Sequence, residues 1–302
     1  AGINIIHDIL KNPTFDTVKL EKEKRVVMEE IKIFHDDPER RVYEILESAL
    51  YSKPFGEGII GNAETVKSLS REKIIEIFKE NYNPENFIVT IVGDADIKKI
   101  CHRLENDFRS SNKEYFPRKV TQKNEELVEK REGIDQAQLV IGMHAPMEDR
   151  KQKALEILNA YLAGGMSSKL FLEIRENHGL AYTVRGRIER EKSYSYYSIY
   201  AGTTKEALSK VKEMMIQGFK DVEKMTEKEL NDAKQRLIGV RKIASEESIN
   251  VMNNLIFEEI STGKAEDYYK YDENINSIKL SEVKELAKQI IKNYSVAIVC
   301  PK

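Results

Sequence analysis

The sequence predicts an α+β protein built from two repeated α/β units, each with an antiparallel or mixed sheet and helices packed on one face. Three observations support this class. Helical and strand-type apolar patterns alternate along the 302 residues. The same order of patterns recurs after about 210 residues. A polar, highly charged stretch separates the two copies, and a chain of this length suggests two domains.

The repeat rests on matched pairs of elements. Each copy has a helix followed by an apolar strand, at 69–82 and 87–92 in the first copy and at 280–294 and 296–299 in the second. A charged helix lies earlier in each copy, at 20–34 and 230–243. Because all these pairs have nearly the same offset, we infer two versions of one α+β unit.

The segment 110–133 is polar and highly charged, which marks it as the boundary between the copies. We therefore expect a first domain at 1–115, a linker at 116–133 and a second domain at 134–302.

The first copy begins in the middle of its unit. Residue 1 corresponds to a position near residue 211, so the opening strands and helices, roughly 80 residues, have no counterpart in the first copy. We infer that the first unit is truncated and that the chain is the C-terminal part of a longer protein. The alternative is a shortened first domain that is whole in nature.

The second copy contains all the elements of a complete unit. The apolar patterns predict strands and helices in alternation. These are a strand at 136–143, a helix at 150–162, a short helix at 169–176, an antiparallel pair of strands at 181–188 and 194–201, and a helix at 205–222.

The most informative segment lies within this copy. Two glycines at 164–165 and two serines at 167–168 predict a loop that leads into a Ser-capped helix. Arg175 lies near the end of that helix, and Gly179 releases the chain into the next strand. This turn brings Arg175 close to Tyr182, where a guanidinium and a phenolic hydroxyl would hold a peptide carbonyl or carboxylate. The alternative is that Arg175 is a solvated cation and Tyr182 packs in the core.

The helix at 20–34 carries a second chemical signal. Glu23 and Glu30 are two turns apart and lie within the apolar stripe of the helix, where buried carboxylates need a cation or a metal ion. The alternative is that both are solvated at the edge of the stripe or paired with Lys or Arg. The repeat places Ala233 and Val240 at the matching positions, which favours a specific role for the two acids.

Composition excludes several classes of protein. The net charge of −2 gives no reason to expect nucleic acid or an anionic membrane as a partner. No apolar run approaches the length of a membrane span. Cys101 and Cys300 are too few and too far apart to indicate disulfides or thiolate-zinc sites, so we expect a cytoplasmic protein.

Several motifs occur in a specific order along the chain. They are EKRVVMEEI at 23–31, DP at 37–38, PFG at 54–56, IG at 60–61, GD at 93–94, GGMSS at 164–168 and GLAY at 179–182. In this order the chain resembles the pitrilysin-type zinc peptidases, or inverzincins, which include insulysin and the mitochondrial processing peptidases. The resemblance covers essentially the whole chain and implies a LuxS-like, processing-peptidase-like fold.

The resemblance also implies roles for individual residues. It makes Glu30 the metal-binding glutamate and Glu23 its supporting acid, so the first domain would be the C-terminal part of the zinc-site domain. It makes Arg175 and Tyr182 the residues with which the second domain binds a peptide substrate. Zinc is the implied cofactor, and dimerisation is implied because small members of the family resemble half of a clamshell.

One departure from the family is severe. The defining motif His-x-x-Glu-His, which supplies two zinc ligands and the general base, does not occur in the sequence. We expect a zinc endopeptidase of unfolded peptides that is seen here without this motif, so that the chain alone is inactive and binds zinc weakly or not at all. The alternative is a non-catalytic partner or structural subunit in a homodimer or heterodimer. The paired acids at 23 and 30 favour the peptidase.

Overall fold

The computed structural model describes residues 2–108 and 118–302, so part of the predicted boundary segment lies outside the described residues. The α-helices are α1 (Gly2–Lys11), α2 (Thr17–Asp36), α3 (Pro38–Leu50), α4 (Ala63–Ser68), α5 (Arg71–Asn81), α6 (Ile97–Asp107), α7 (Asp149–Leu162), α8 (Leu208–Asp221), α9 (Glu227–Ala244), α10 (Ser248–Thr262), α11 (Tyr271–Ser277) and α12 (Leu280–Ile290). The strands are β1 (Glu126–Arg131), β2 (Ala137–His144), β3 (Ala181–Arg190), β4 (Ser195–Thr203) and β5 (Ser295–Pro301). The predicted α+β class is confirmed.

The chain divides into two compact units. The first comprises Ala1–His35 and Ile59–Arg118, and the second comprises Asp36–Gly58 and Lys119–Lys302. The segment 36–58 therefore packs with the second unit, although the sequence-based limits place it in the first domain. The reason is that α3 buries its apolar face on the sheet of the second unit.

The sheet of the second unit has the strand order β1-β5-β2-β4-β3. The β1–β5 pair is parallel and the other pairs are antiparallel. Strand β1 lies within the predicted linker at 116–133, so that part of the prediction is wrong. Its sequence, ELVEKR, is mostly charged because β1 is an edge strand whose outward side chains face water.

Strand β2 is buried on both faces of the sheet. Leu139, Ile141 and Met143 join the larger core, whereas Val140 points to the opposite face, as the two-residue period of a strand requires. The larger core is completed by apolar side chains of the helices that cover this face, among them Leu155, Leu158, Val211, Met215, Leu230, Val283 and Leu286.

Helix α3 packs on the other face of the sheet, where the sequence predicted no helix. Val42, Leu46 and Leu50 are fully buried in a second, smaller core. Gly142 of β2 makes room for this contact, since a Cβ there would lie 2.7 Å from Leu46 Cδ1. The matched packing of helix and strand explains why 36–58 stays with the second unit.

An ion-pair network also ties α3 to the edge strand β1. Arg41 donates from Nη1 to Glu44 at 2.6 Å and from Nε to Glu129 at 2.8 Å. Arg131 donates to the same Glu129 at 2.8 Å. Partial burial raises the pKa of Glu129, but the hydrogen bonds and charge of the two arginines outweigh it and lower this pKa below its ordinary value.

The first unit contains α1, α2, α4, α5 and α6. Aromatic contacts connect its elements, with Phe15 packed edge-on against Phe78 and Phe78 stacked on Tyr82. Among the described residues of this unit, the buried apolar side chains are Ile31 and Val66.

The predicted strand at 87–92 is not a strand in the structure. Ile88 and Val89 are exposed there. A strand forms only where a neighbouring strand satisfies its backbone hydrogen bonds, and no described segment of the first unit pairs with 87–92. The segment is apolar, but an apolar pattern alone does not provide a neighbouring strand for it to pair with.

Candidate functional site

The segment that follows the two glycines at 164–165 forms a π-helix, Phe171–Asn177. The predicted Ser cap is wrong, because Ser168 is fully buried and its hydroxyl has no hydrogen-bond partner among the described residues. The C-terminus follows the prediction. Gly179 adopts a left-handed φ of 61° and donates to the Arg175 carbonyl at 3.0 Å. π-helices are rare and often occur at functional sites, so the position of Arg175 within one supports its choice as a candidate site residue.

The Arg175 guanidinium lies over two aromatic rings. Its Cζ is 4.9 Å from the ring centroid of Phe171 and 5.0 Å from that of Tyr182. Its Nε is 3.4 Å from Glu176 Oε1. Within the described residues, no hydrogen bond from the terminal Nη groups is found. The two cation–π contacts favour this position of the guanidinium and leave its Nη groups available to a ligand.

Tyr182 lies at a β-bulge at the start of β3. Ala181 is opposite Thr203 and Thr183 is opposite Gly202, so Tyr182 is the extra residue. A bulge changes the direction of a side chain, and the Tyr182 side chain is 72% exposed. The structure therefore brings Arg175 and Tyr182 together, as the sequence predicted. Their role in binding substrate stays a prediction.

The glycines before this helix have a structural reason. Gly164 follows α7 so closely that a Cβ would lie 2.8 Å from Ala160 Cα. The loop also contacts the edge strand β3, because the backbone N–H of Gly186 donates to the Ala163 carbonyl at 2.8 Å. A Cβ at Gly186 would also meet the Tyr197 hydroxyl at 2.7 Å. The loop thus packs directly on β3, which fixes the start of the segment that carries Arg175.

Glu23 and Glu30 are both exposed on α2, so the prediction that they are buried in the apolar stripe is wrong. Ile31 is the buried residue of this helix, whereas Val26 and Ile33 are exposed. The other stripe residues, Leu20, Val27 and Phe34, are partly buried, but the two carboxylates are in water. Their assignment as metal-binding and supporting acids stays a prediction.

The residues of this chain do not by themselves fit a zinc ion. In the described ranges, no group of three or more His, Cys, Asp or Glu side chains is placed to hold a metal ion. Zinc in proteins needs about three protein ligands at a catalytic site. Glu30 would supply only one of these ligands.

Sequence reasoning missed a buried polar cluster between helices α7, α9, α10 and α11. Glu258 is 3% exposed, with Lys153 Nζ at 3.6 Å and Arg241 Nη2 at 4.0 Å. Lys153 also contacts Glu156 at 2.9 Å, and the Tyr271 hydroxyl donates to Glu156 at 2.6 Å. The signal in the sequence was weak, because Glu258 is one of two adjacent acids in a helix that also contains several polar residues.

A cavity of about 340 Å³ adjoins this cluster. Its cations are already paired, since Arg190 contacts Asp149 at 2.5 Å and Lys270 contacts Asp267 at 3.1 Å. These pairs compensate each other's charge, so we interpret the cluster as part of the packing of the helices.

Comparison with known proteins identifies the family. A family model described as "Peptidase M16 inactive domain" matches residues 68–237, more than half of the chain. The chain therefore belongs to this family, and the resemblance inferred from its motifs is confirmed. Among similar proteins is an uncharacterised zinc protease of Bacillus subtilis, 28% identical over 99% of this chain and 75% of that protein. An uncharacterised zinc protease of Mycobacterium tuberculosis is 27% identical, over 99% of this chain and 71% of that protein.

Solved structures share the fold. The peptidase M16 inactive domain from Pseudomonas fluorescens matches with a TM-score of 0.88 and 17% identity, over 100% of this chain and 75% of that one. A protease from Helicobacter pylori matches with a TM-score of 0.83 and 20% identity, over 95% and 72%. A chain of complex III₂ from Candida albicans matches with a TM-score of 0.84 and 15% identity, over 97% and 73%.

None of the helices in the described ranges is both long enough and apolar enough to cross a membrane.

Proposed function

We propose that this chain is part of a zinc-dependent endopeptidase of unfolded peptides, and that its second unit binds the peptide through Arg175 and Tyr182. The observation that carries this proposal is the position of Arg175 over two aromatic rings, one of which belongs to the exposed side chain of Tyr182. Relatives named zinc proteases, similar over nearly the whole of this chain, support the class of enzyme.

The chemistry of the pair suits an extended peptide. Arg175 offers its Nη edge as a hydrogen-bond donor, and a tyrosine hydroxyl either donates or accepts. A peptide backbone presents a carbonyl and an N–H to such a pair, whatever its side chains are. Binding through the backbone is therefore compatible with many unfolded sequences.

We assign Glu30 as one metal ligand and Glu23 as its supporting acid. Because the residues of this chain do not fit zinc alone, the remaining ligands would come from residues outside this sequence. The Bacillus relative is longer, since the match covers only 75% of it. The coding sequence around this chain decides the matter. A His-x-x-Glu-His motif in the same reading frame supports the peptidase, and its absence contradicts it.

A non-catalytic partner or structural subunit is the second candidate. The description of the matching family as an inactive domain favours it, as does the exposure of Glu23 and Glu30 without a metal-binding group in the described residues. In that case the Arg175–Tyr182 pair would serve a separate catalytic chain.

Either candidate implies association. We propose that the intact protein forms a homodimer or a heterodimer that encloses the peptide. Light scattering at micromolar concentration measures this, and a purely monomeric intact protein that binds no partner chain would contradict it.

The cytoplasmic location is likewise a proposal that rests on the two distant cysteines.

Binding of a fluorescently labelled unstructured peptide tests the role of Arg175. Arg175→Ala should weaken binding about tenfold, the value of a charge-assisted hydrogen bond, and leave the melting temperature nearly unchanged. Arg187→Ala is the matched control, because Arg187 also lies over a tyrosine ring and beside a glutamate. Equal binding by Arg175→Ala and wild type, or a large loss of stability in Arg175→Ala, would show a structural role instead.

A further inference from the structure

Glu176 is the charged neighbour of the Arg175 site. Its Oε1 lies 3.4 Å from Arg175 Nε, and the Arg175 and Glu176 side chains are 37% and 54% exposed. Both side chains are therefore accessible to a ligand. The other acid of this π-helix, Glu173, lies 3.5 Å from His178 instead.

The guanidinium thus has three neighbours. It lies over the rings of Phe171 and Tyr182, and its Nε contacts Glu176. Its Nη groups are left for a ligand, which would lie next to the negative charge of Glu176. A ligand carboxylate at these groups would be repelled by Glu176, whereas a neutral carbonyl would not.

We propose that Glu176 is a specificity-determining residue, which makes the Arg175 site accept a neutral backbone carbonyl in preference to a carboxylate. The disfavoured ligands are acidic side chains and the C-terminal carboxylate of a peptide. This inference rests on the proposed function, because it presumes that Arg175 binds the substrate. It deepens that function by defining the substrate as the interior of a chain rather than its C-terminal end.

The test compares two labelled unstructured peptides that differ only in the replacement of each glutamine by glutamate. In the wild-type chain the neutral peptide should bind more tightly. Glu176→Gln keeps the shape of the side chain and removes its charge, so binding of the acidic peptide should improve about threefold relative to the neutral one, the size expected for an exposed ion pair. The improvement should shrink at high salt, because exposed charges are screened.

Glu173→Gln is the matched control. It removes the same charge from the same π-helix, but its carboxylate is paired with His178 and not with Arg175. The ratio of the two affinities should stay at the wild-type value in this variant. An equal change of the ratio in Glu176→Gln and Glu173→Gln, or no change in either, would overturn the proposal.

Arg175→Ala separates this proposal from the function on which it rests. If Arg175→Ala weakens binding of both peptides while Glu176→Gln leaves their ratio unchanged, only the role of Glu176 is overturned. If Arg175→Ala binds both peptides as the wild type does, or if the wild-type chain binds neither peptide, the substrate-binding assignment itself fails, and the role of Glu176 fails with it.

Discussion

His144, at the end of β2, has its two ring nitrogens in different environments. Nε2 lies 2.8 Å from the Lys123 carbonyl oxygen. Because a carbonyl oxygen can only accept a hydrogen bond, Nε2 is assigned as the protonated nitrogen that donates it. Nδ1 is buried and has no hydrogen-bond partner among the described residues. The ring also packs edge-on against Tyr51. A proton on Nδ1 would be buried without an acceptor, so the neutral ring is the form that suits the fold.

The pH dependence of stability follows from this environment. Burial lowers the pKa of His144 below its ordinary value of 6.5, against the opposing effect of the Lys123 hydrogen bond. A lowered folded-state pKa means that the unfolded chain binds the proton more readily. The contribution to stability is therefore complete above pH 6.5 and is lost as the pH falls toward and through the folded-state pKa.

We predict that His144→Gln removes this part of the pH dependence. The glutamine amide still offers a donor for the Lys123 carbonyl but does not titrate. Denaturant unfolding at a series of pH values should give a smaller decrease of the free energy of unfolding below pH 6.5 in the variant than in the wild type. Identical slopes for both proteins would show that the ring titrates normally in the folded state.

At the scale of elements, the packing of α3 on the sheet depends on one pair of residues. Leu46 is fully buried, and Gly142 of β2 leaves the space that its side chain fills. Truncation of a buried leucine of this kind costs about 2–5 kcal/mol. The pair therefore couples a helix to a strand almost a hundred residues further along the chain.

A double-mutant cycle tests this coupling. Gly142→Ala should destabilise the wild type by about 1–3 kcal/mol, because the new methyl group meets Leu46 Cδ1 at 2.7 Å. In the Leu46→Ala background the same methyl has space, so its cost should fall. Gly239→Ala in α9 is the control, since its Cβ meets nothing within 4 Å and should be stabilising. Additive effects of Gly142→Ala and Leu46→Ala would mean that the two positions are not in contact.

The sequence-based predictions were accurate for those elements of the second unit that have a strong apolar period. The predicted strands at 136–143, 181–188 and 194–201 correspond to β2, β3 and β4 within a few residues. The predictions failed for β1, whose charged side chains are typical of a linker, and for the π-helix. The apolar period predicts a helix there but does not distinguish α from π hydrogen bonding.

At the scale of the whole molecule, the two units differ in how much apolar surface they bury. The second has an extended core on one face of its sheet and a smaller one on the other. In the first, the described helices α1, α5 and α6 contain no buried residue. Apolar side chains of this unit are exposed, among them Ile5, Ile9, Val18, Val26, Ile33, Ile88 and Val89.

Hydrogen exchange should show this difference in the 302-residue chain. Backbone amides of α1, α5 and α6 should exchange about tenfold or more faster than those of β2 and β4, because few buried contacts oppose local opening. Amides of α8, a helix of the second unit, provide the control for secondary structure type, and we expect them to be protected like the strands. Equal protection of α5 and α8 would contradict the difference in local stability.

The sequence also predicted only part of the candidate site. The spacing of Arg175, Gly179 and Tyr182 was sufficient to predict that the guanidinium and the phenol meet. The contacts of Phe171 and Glu176 with Arg175 were not predicted, because they depend on the path of the π-helix. The burial of Glu23 and Glu30 was wrongly predicted. An apolar stripe shows which face of a helix is suited to burial, but it does not show which residues of that face another element covers.

The sequence by itself determined the family, the α+β class and most elements of the second unit, because these follow from local residue order and apolar period. Only the tertiary structure decided that α3 packs with the second unit, that 87–92 is not a strand and that Arg175 lies over the rings of Phe171 and Tyr182. Each of these depends on a partner distant in the sequence or on a local hydrogen-bonding choice, and a periodic pattern specifies neither.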